Sequence, residues 1–159
     1  MDVITTALFS AARQGNVPVL QEIFAQMENL DVQDERGYTP LIIASYNGQL
    51  EATEALLNAG ANINAADLSG NTALMGASFK GYPDIAQLLI QRGANLNTQH
   101  GNGGTALMFA AMFGRNDLVK LLLDNGADTT VQDTRGLTAL DLSYQQRNDA
   151  AVDLLQVAQ

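Results

Sequence analysis

The sequence predicts an all-α fold, a solenoid of stacked helix-turn-helix units with protruding β-turn tips. Three observations predict it. Threonines recur at Thr6, Thr39, Thr72, Thr105 and Thr138, each 33 residues from the last. Leucine follows two positions later in every copy, at Leu8, Leu41, Leu74, Leu107 and Leu140, and a small residue three positions beyond that, at Ala11, Ala44, Ala77, Ala110 and Ser143. The second halves repeat as well: "ALLNAGANIN", "LLIQRGANLN" and "LLLDNGADTT" align at Gly60, Gly93 and Gly126. Self-similarity at a fixed period marks an architecture in which each unit buries its apolar face against the next.

Each unit opens on its threonine, whose hydroxyl is suited to accept from a free amide of a first helical turn. Pro40 sits at the first helical position, where its missing N–H costs nothing. The first helix ends at a glycine suited to a left-handed backbone: Gly15, Gly48, Gly81 and Gly114. Second helices are expected at Leu50–Asn58, Pro83–Gln91 and Asp117–Asp124, and Pro18 falls near the first turn of another. "GAN" or "GAD" stops each of them. Asp34–Gly37, Asp67–Gly70, His100–Gly103 and Asp133–Gly136 read as turn tips. The five units run over residues 1–33, 34–66, 67–99, 100–132 and 133–159 as one domain. Helices of two to three turns do not persist alone in water. Leu56, Leu57, Leu88, Leu89, Ile90, Leu121, Leu122 and Leu123 supply the faces that stack.

The period and the segment "TPLIIA" resemble the ankyrin repeat, with its T-P-L-H-x-A signature. The resemblance covers the whole chain. "TALM" in place of "TPLH" is similar to bacterial members. The signature histidine is replaced in every copy, by Phe9, Ile42, Met75, Met108 and Asp141. Apolar packing is therefore expected to take the place of the polar network that ties neighbouring repeats in the family.

The end units depart from the middle ones. Met27, Glu28 and Asn29 stand where later units have Gly-Ala-Asn. Asp141 replaces an apolar residue, Arg147 replaces the closing glycine, and Gln156 stands where Leu57, Ile90 and Leu123 do. Polar end units are what a stack needs, and the chain reads as a small protein capped at both ends.

Composition narrows the function. Hydrophobic residues make up 47% of 159, enough for a core and too many for a disordered chain. No apolar run approaches the roughly 18 residues of a membrane span. "MDVITTALFS" lacks the basic region of a signal peptide, and no cysteine is present. A cytoplasmic location is expected. A net charge of −9 opposes phosphate, so nucleic acid is not an expected partner. The same charge favours solubility and steers basic partners.

Positions that vary between copies are free for function. The resemblance implies that a protein partner binds a concave surface of turn tips and first helices. In this chain the tips offer Glu35, Arg36 and Tyr38; Leu68, Ser69 and Asn71; Gly101, Asn102 and Gly104; Thr134, Arg135 and Leu137. The column seven residues after each threonine reads Arg13, Tyr46, Phe79, Met112, Gln145, and the next reads Gln14, Asn47, Lys80, Phe113, Gln146. With stacked helices roughly 10 Å apart, Tyr46, Phe79 and Met112 form a ladder about 20 Å long. Apolar anchors inside a polar rim suit a protein interface. The expected partner-binding residues are Tyr46, Phe79, Met112, Phe113, Lys80, Arg36, Tyr38, Asn71, Asn102 and Arg135. The bland alternative is that the ladder folds back as half-buried filler.

Three glycines fall outside the repeat frame. Gly76 sits inside a first helix and pairs in register with Phe109, which suggests packing or a small pocket near Met75 and Phe79. "HGNGGT", with Gly101 and Gly104, superficially resembles a phosphate cradle but has no preceding strand and no lysine, so an adjustable tip is expected instead. His100 is the single histidine and replaces the aspartate of Asp34, Asp67 and Asp133. Alone it makes no metal site, though a pH-sensitive contact is one use for it.

No nucleophile–histidine pair or metal cluster is recognisable, and no cofactor is expected. The leading reading is a non-catalytic scaffold that binds a protein partner. The alternative is an acidic inhibitor or regulatory subunit that occupies a basic site. A monomer is expected, with a homodimer closed by the ladder as the other arrangement.

Overall fold

The structure, a computed structural model, describes residues 1–158. Among them are ten helices and no strand; an isolated bridge pairs Ala66 with Thr72. The helices are α1 (Val3–Gln14), α2 (Val17–Phe24), α3 (Pro40–Tyr46), α4 (Leu50–Asn58), α5 (Ala73–Lys80), α6 (Pro83–Gln91), α7 (Ala106–Met112), α8 (Asn116–Asp124), α9 (Ala139–Gln145) and α10 (Asp149–Ala158). The fold is the all-α repeat fold that the periodicity predicts, and the expected second helices match to within one residue. No described helix is long and apolar enough to cross a membrane.

The threonine caps form as expected in the later units. Thr39, Thr105 and Thr138 accept from the amides of Ile42, Met108 and Asp141. The first unit corrects the expectation. Thr6 lies inside α1 and donates its hydroxyl to the Asp2 carbonyl, while the Asp2 carboxylate caps the helix through Thr5 N–H at 2.8 Å. The Asp2 cap starts α1 one turn before Thr6. At the other end, Asp141 closes a reciprocal capping box with Thr138.

The contacts cluster into two compact units, one over Met1–Ala73 and one from Leu74 onward. In the first, α1 packs on α3 and α2 on α4, with each first helix also against its own second helix. Leu8, Leu41 and Leu56 are fully buried there. In the second, α7 packs on α9, and α8 contacts both α6 and α10. Leu74, Leu107, Leu89, Leu122 and Leu155 are its buried columns. Burying one such side chain contributes roughly 2 kcal/mol. The small-residue column has a reason as well: Ala44, Ala77, Ala110 and Ser143 have no exposed surface, so nothing larger fits between the helices.

The positions of the missing histidine are filled as expected by buried Phe9, Ile42, Met75 and Met108. Polar ties between repeats nevertheless persist, in other columns. In the first unit Gln49 Nε2 donates to the Arg13 carbonyl at 3.0 Å. One and two repeats beyond the second unit's start, Arg115 Nε donates to the Phe79 carbonyl and Asn148 Nδ2 to the Ala111 carbonyl. These three donors share one register, and each satisfies a carbonyl orphaned at the end of the preceding first helix. Gln33 and Gln99, also in one register, each bridge two backbone carbonyls, that of Gly37 with that of Ala66 and that of Gly103 with that of Gln132. Packing alone does not replace the network; amide and guanidinium side chains rebuild it.

Arg147 is the one non-glycine residue with positive φ among the described residues, at 54°. It occupies the helix-closing position that Gly15, Gly48, Gly81 and Gly114 hold at φ 72–80°. The left-handed turn is thus imposed by the repeat and kept at a local cost of about 1–2 kcal/mol. Arg147→Gly relieves that strain and gives back part of the gain as chain entropy. Its expected effect is a rise of about 0.5–1 kcal/mol in unfolding free energy, or roughly 2–3 °C in Tm. Differential scanning calorimetry on the two proteins checks it; a lower Tm would contradict the strain argument.

Candidate functional site

The turn tips are built by their first residue. Asp34, Asp67 and Asp133 each accept from the backbone N–H groups two and four positions on, at 2.8–3.0 Å. The glycine three positions on donates back to the carbonyl of the same residue, at 2.9–3.0 Å. One carboxylate oxygen therefore fixes the whole tip and holds the varying residues at its outer edge. Tips also join directly: Leu68 N–H donates to the Arg36 carbonyl in the first unit, and Thr134 N–H to the Asn102 carbonyl in the second.

The residues expected to bind a partner divide between the units. In the first, Tyr46 ends α3 with 44% of its surface exposed. Arg36 is exposed and Tyr38 half-buried, while Asn71 is tied through Nδ2 to the Asp67 carboxylate at 3.2 Å. In the second, Phe79, Lys80 and Met112 are half-buried, Phe113 is 45% exposed, and Asn102 and Arg135 are exposed. The structure brings some of these together. Phe79 and Phe113 meet edge to face, with ring centroids 4.7 Å apart, a contact worth about 0.5–1.5 kcal/mol. Asn102, Met112 and Arg135 line one pocket of about 430 Å³.

That pocket is built by a departure from the repeat at three positions. The His100 imidazole stands where the other tips have aspartate, and its Nδ1 accepts from Gly104 N–H at 2.9 Å. Nδ1 also lies 3.3 Å from the Gly104 carbonyl, and the shorter contact with the amide assigns the ring proton to Nε2. The ring lies against Phe109, with centroids 5.1 Å apart. A Cβ on residue 104 would come within 2.7 Å of the imidazole, so glycine stands where Tyr38, Asn71 and Leu137 do in the other tips. Gly103, at φ 83°, lets the loop pass the backbone of Asp133 and Thr134, which a Cβ would approach to 2.8 Å. Gly103 and Gly104 have packing roles, and their amides are spent within the loop, on the His100 carbonyl and ring. The sequence signal was partial: His100 breaks a column of aspartates, whereas Gly104 and Phe109 sit in columns that vary from repeat to repeat. Read one column at a time, it did not reveal their mutual contact.

Among the described residues no three His, Cys, Asp or Glu side chains gather as a metal-ligating group. Around Asp133, burial acts to raise the carboxyl's pKa. Hydrogen bonds from the Leu137 and Arg135 amides and the Arg135 side chain outweigh it, and the pKa lies below its ordinary value. Arg135 Nη2 lies 3.0 Å from Asp133 Oδ2.

Residues 8–100 match a model described as ankyrin repeats in three copies, and residues 89–143 match one described as ankyrin repeats in many copies. No curated protein matches the chain at a significant level. Ankyrin repeats are generally protein–protein interaction modules, and the family is generally non-catalytic.

Two predictions follow from the tip geometry. Gly104→Ala forces the His100 ring aside and is expected to cost about 1–2 kcal/mol. The same substitution beside His100→Asp is expected to cost under about 0.5 kcal/mol, the coupling of two residues in contact. A double-mutant cycle by urea unfolding reads the difference. The Asp133 contribution to stability is complete above the ordinary carboxyl value of about 3.9 and is lost as pH falls through the lowered folded value. Asp133→Asn should therefore lower Tm at pH 7, with the gap to wild type closing toward acid; a gap independent of pH would count against it.

The 33-residue register, the helix pairs, the tip geometry and a match spanning more than half the chain agree on one conclusion: this chain belongs to the ankyrin-repeat family.

Proposed function

We propose that this chain is a non-catalytic scaffold that binds a protein partner through its first helices and turn tips. The Phe79–Phe113 pair carries the reading. Phe113 keeps nearly half its surface in solvent although the repeat asks for no aromatic there: the same column holds Gln14, Asn47 and Gln146. Met112 beside it, and the polar Asn102 and Arg135 of the tips, supply the apolar centre and polar rim of an interface. In the first unit, Tyr46, Arg36, Tyr38 and Asn71 offer the same columns to the partner. The partner is a protein, the chain acts as a monomer in a cytoplasmic setting, and no cofactor takes part.

The net charge of −9 supports a second reading, an acidic inhibitor or regulatory subunit that occupies a basic site. Salt separates the two. An apolar contact loses little affinity between low and high salt, whereas a charge-driven one loses much of it.

Capture from a lysate of the source cell tests the proposal. The baits are the wild type and a Phe79→Ser, Phe113→Ser variant whose helical signal and melting are checked first. A protein retained by wild type and lost from the folded variant, at both low and high salt, is the expected result. Equal capture by both would remove the aromatic pair from the interface.

A further inference from the structure

We infer that the pocket beside His100 is a receptor for the C-terminal residue of the partner chain, an apolar side chain with its carboxylate. The inference rests on the reading of the tips and first helices as the partner-binding side. Its volume of about 430 Å³ falls within the roughly 300–1,000 Å³ of small-ligand sites. The floor is apolar, made by Met108, Phe109, Met112 and Leu142. The rim carries His100 and Arg135.

The rim is a donor rim. His100 Nδ1 lies 2.9 Å from Gly104 N and 3.3 Å from Gly104 O; the shorter contact is an N–H donating to Nδ1, an arrangement that assigns the ring proton to Nε2 and makes it a donor. Arg135 gives one guanidinium nitrogen to Asp133, and its remaining N–H groups make no bond within the described residues. The Asp133 carboxylate, also in the lining, is already committed. Oδ1 accepts from the Arg135 and Leu137 amides and Oδ2 from the Arg135 side chain, and its side chain is only 7% exposed. The pocket thus offers charged and neutral donors with no unspent carboxylate, inside a chain of net charge −9. An anionic acceptor fits those donors, and the guanidinium fork suits a carboxylate. The apolar floor and the donor rim belong to one small cavity, so the apolar group and the carboxylate belong on one residue. A chain terminus ending in Leu or Phe presents that combination, and an internal side chain does not.

The probe is N-acetyl-phenylalanine, with N-acetyl-phenylalanine amide as its uncharged counterpart. Both are titrated into the ¹⁵N-labelled protein and followed by amide chemical shifts. The acid is expected to shift Asn102, Gly104, Met112 and Arg135, and the amide to bind about tenfold less tightly. Arg135→Gln and His100→Asp, each first shown to melt as a folded protein, are expected to weaken the acid by a similar factor and to leave the amide unchanged. His100→Asp restores the residue that builds the other three tips, so the loop keeps its shape. Equal binding of acid and amide, binding indifferent to both substitutions, or no shifts at these residues would overturn the inference. No partner is present in the titration, so its failure leaves the capture result standing, and a failed capture leaves the titration standing.

Discussion

The constraint on which the structure depends is the shortness of its helices. α3, α7 and α9 have seven residues each, too few to hold a helix in water. They exist because a leucine from each unit is removed from solvent by a neighbouring one. The columns through Leu8 and Leu41, and through Leu89, Leu122 and Leu155, have almost no exposed surface. Everything else serves that burial. Threonine caps start the helices in register, left-handed residues turn the chain back at the same place each time, and alanine or serine keeps the helices close. Arg147 shows how strict the geometry is, since the backbone keeps its left-handed turn even where glycine is absent.

A fold built on repetition is legible in sequence, because each element is written several times. The 33-residue register located the tips, the first helices and the second helices, with α4 and α6 falling on their expected bounds. Thr6 has the register of a cap but lies inside α1, because Asp2, four residues earlier, is itself a good cap residue and takes that role. The amide and guanidinium ties were also missed. Gln49, Arg115 and Asn148 share a column and a role but not a residue type, and their common trait, a side-chain N–H donor, is invisible to a motif.

The candidate site was legible in a different degree. The varying columns pointed to Tyr46, Phe79, Met112 and Phe113, and each of these reaches the surface at least in part. The pocket was not foreseen. It needs three substitutions that sit in separate columns and compensate one another in space: an imidazole too large for its tip, a glycine that makes room, and a phenylalanine that supports the ring. A change that breaks one column reads as noise, and only the contact between the three shows that they act together. The repeats set the frame, and departures from the repeat shape the surface.

The proposed role of the exposed aromatic residues of the second unit in partner contact requires that they add little to the stability of the fold. The most direct test is a pair of urea unfolding curves, for Phe113→Ser and for Leu122→Ala. Loss of the edge-to-face contact alone should cost Phe113→Ser no more than about 1.5 kcal/mol. Leu122→Ala, which opens a cavity in the buried column, should cost about 3 kcal/mol or more. A Phe113→Ser loss as large as that of Leu122→Ala would show the ring to be part of the core and would contradict the account.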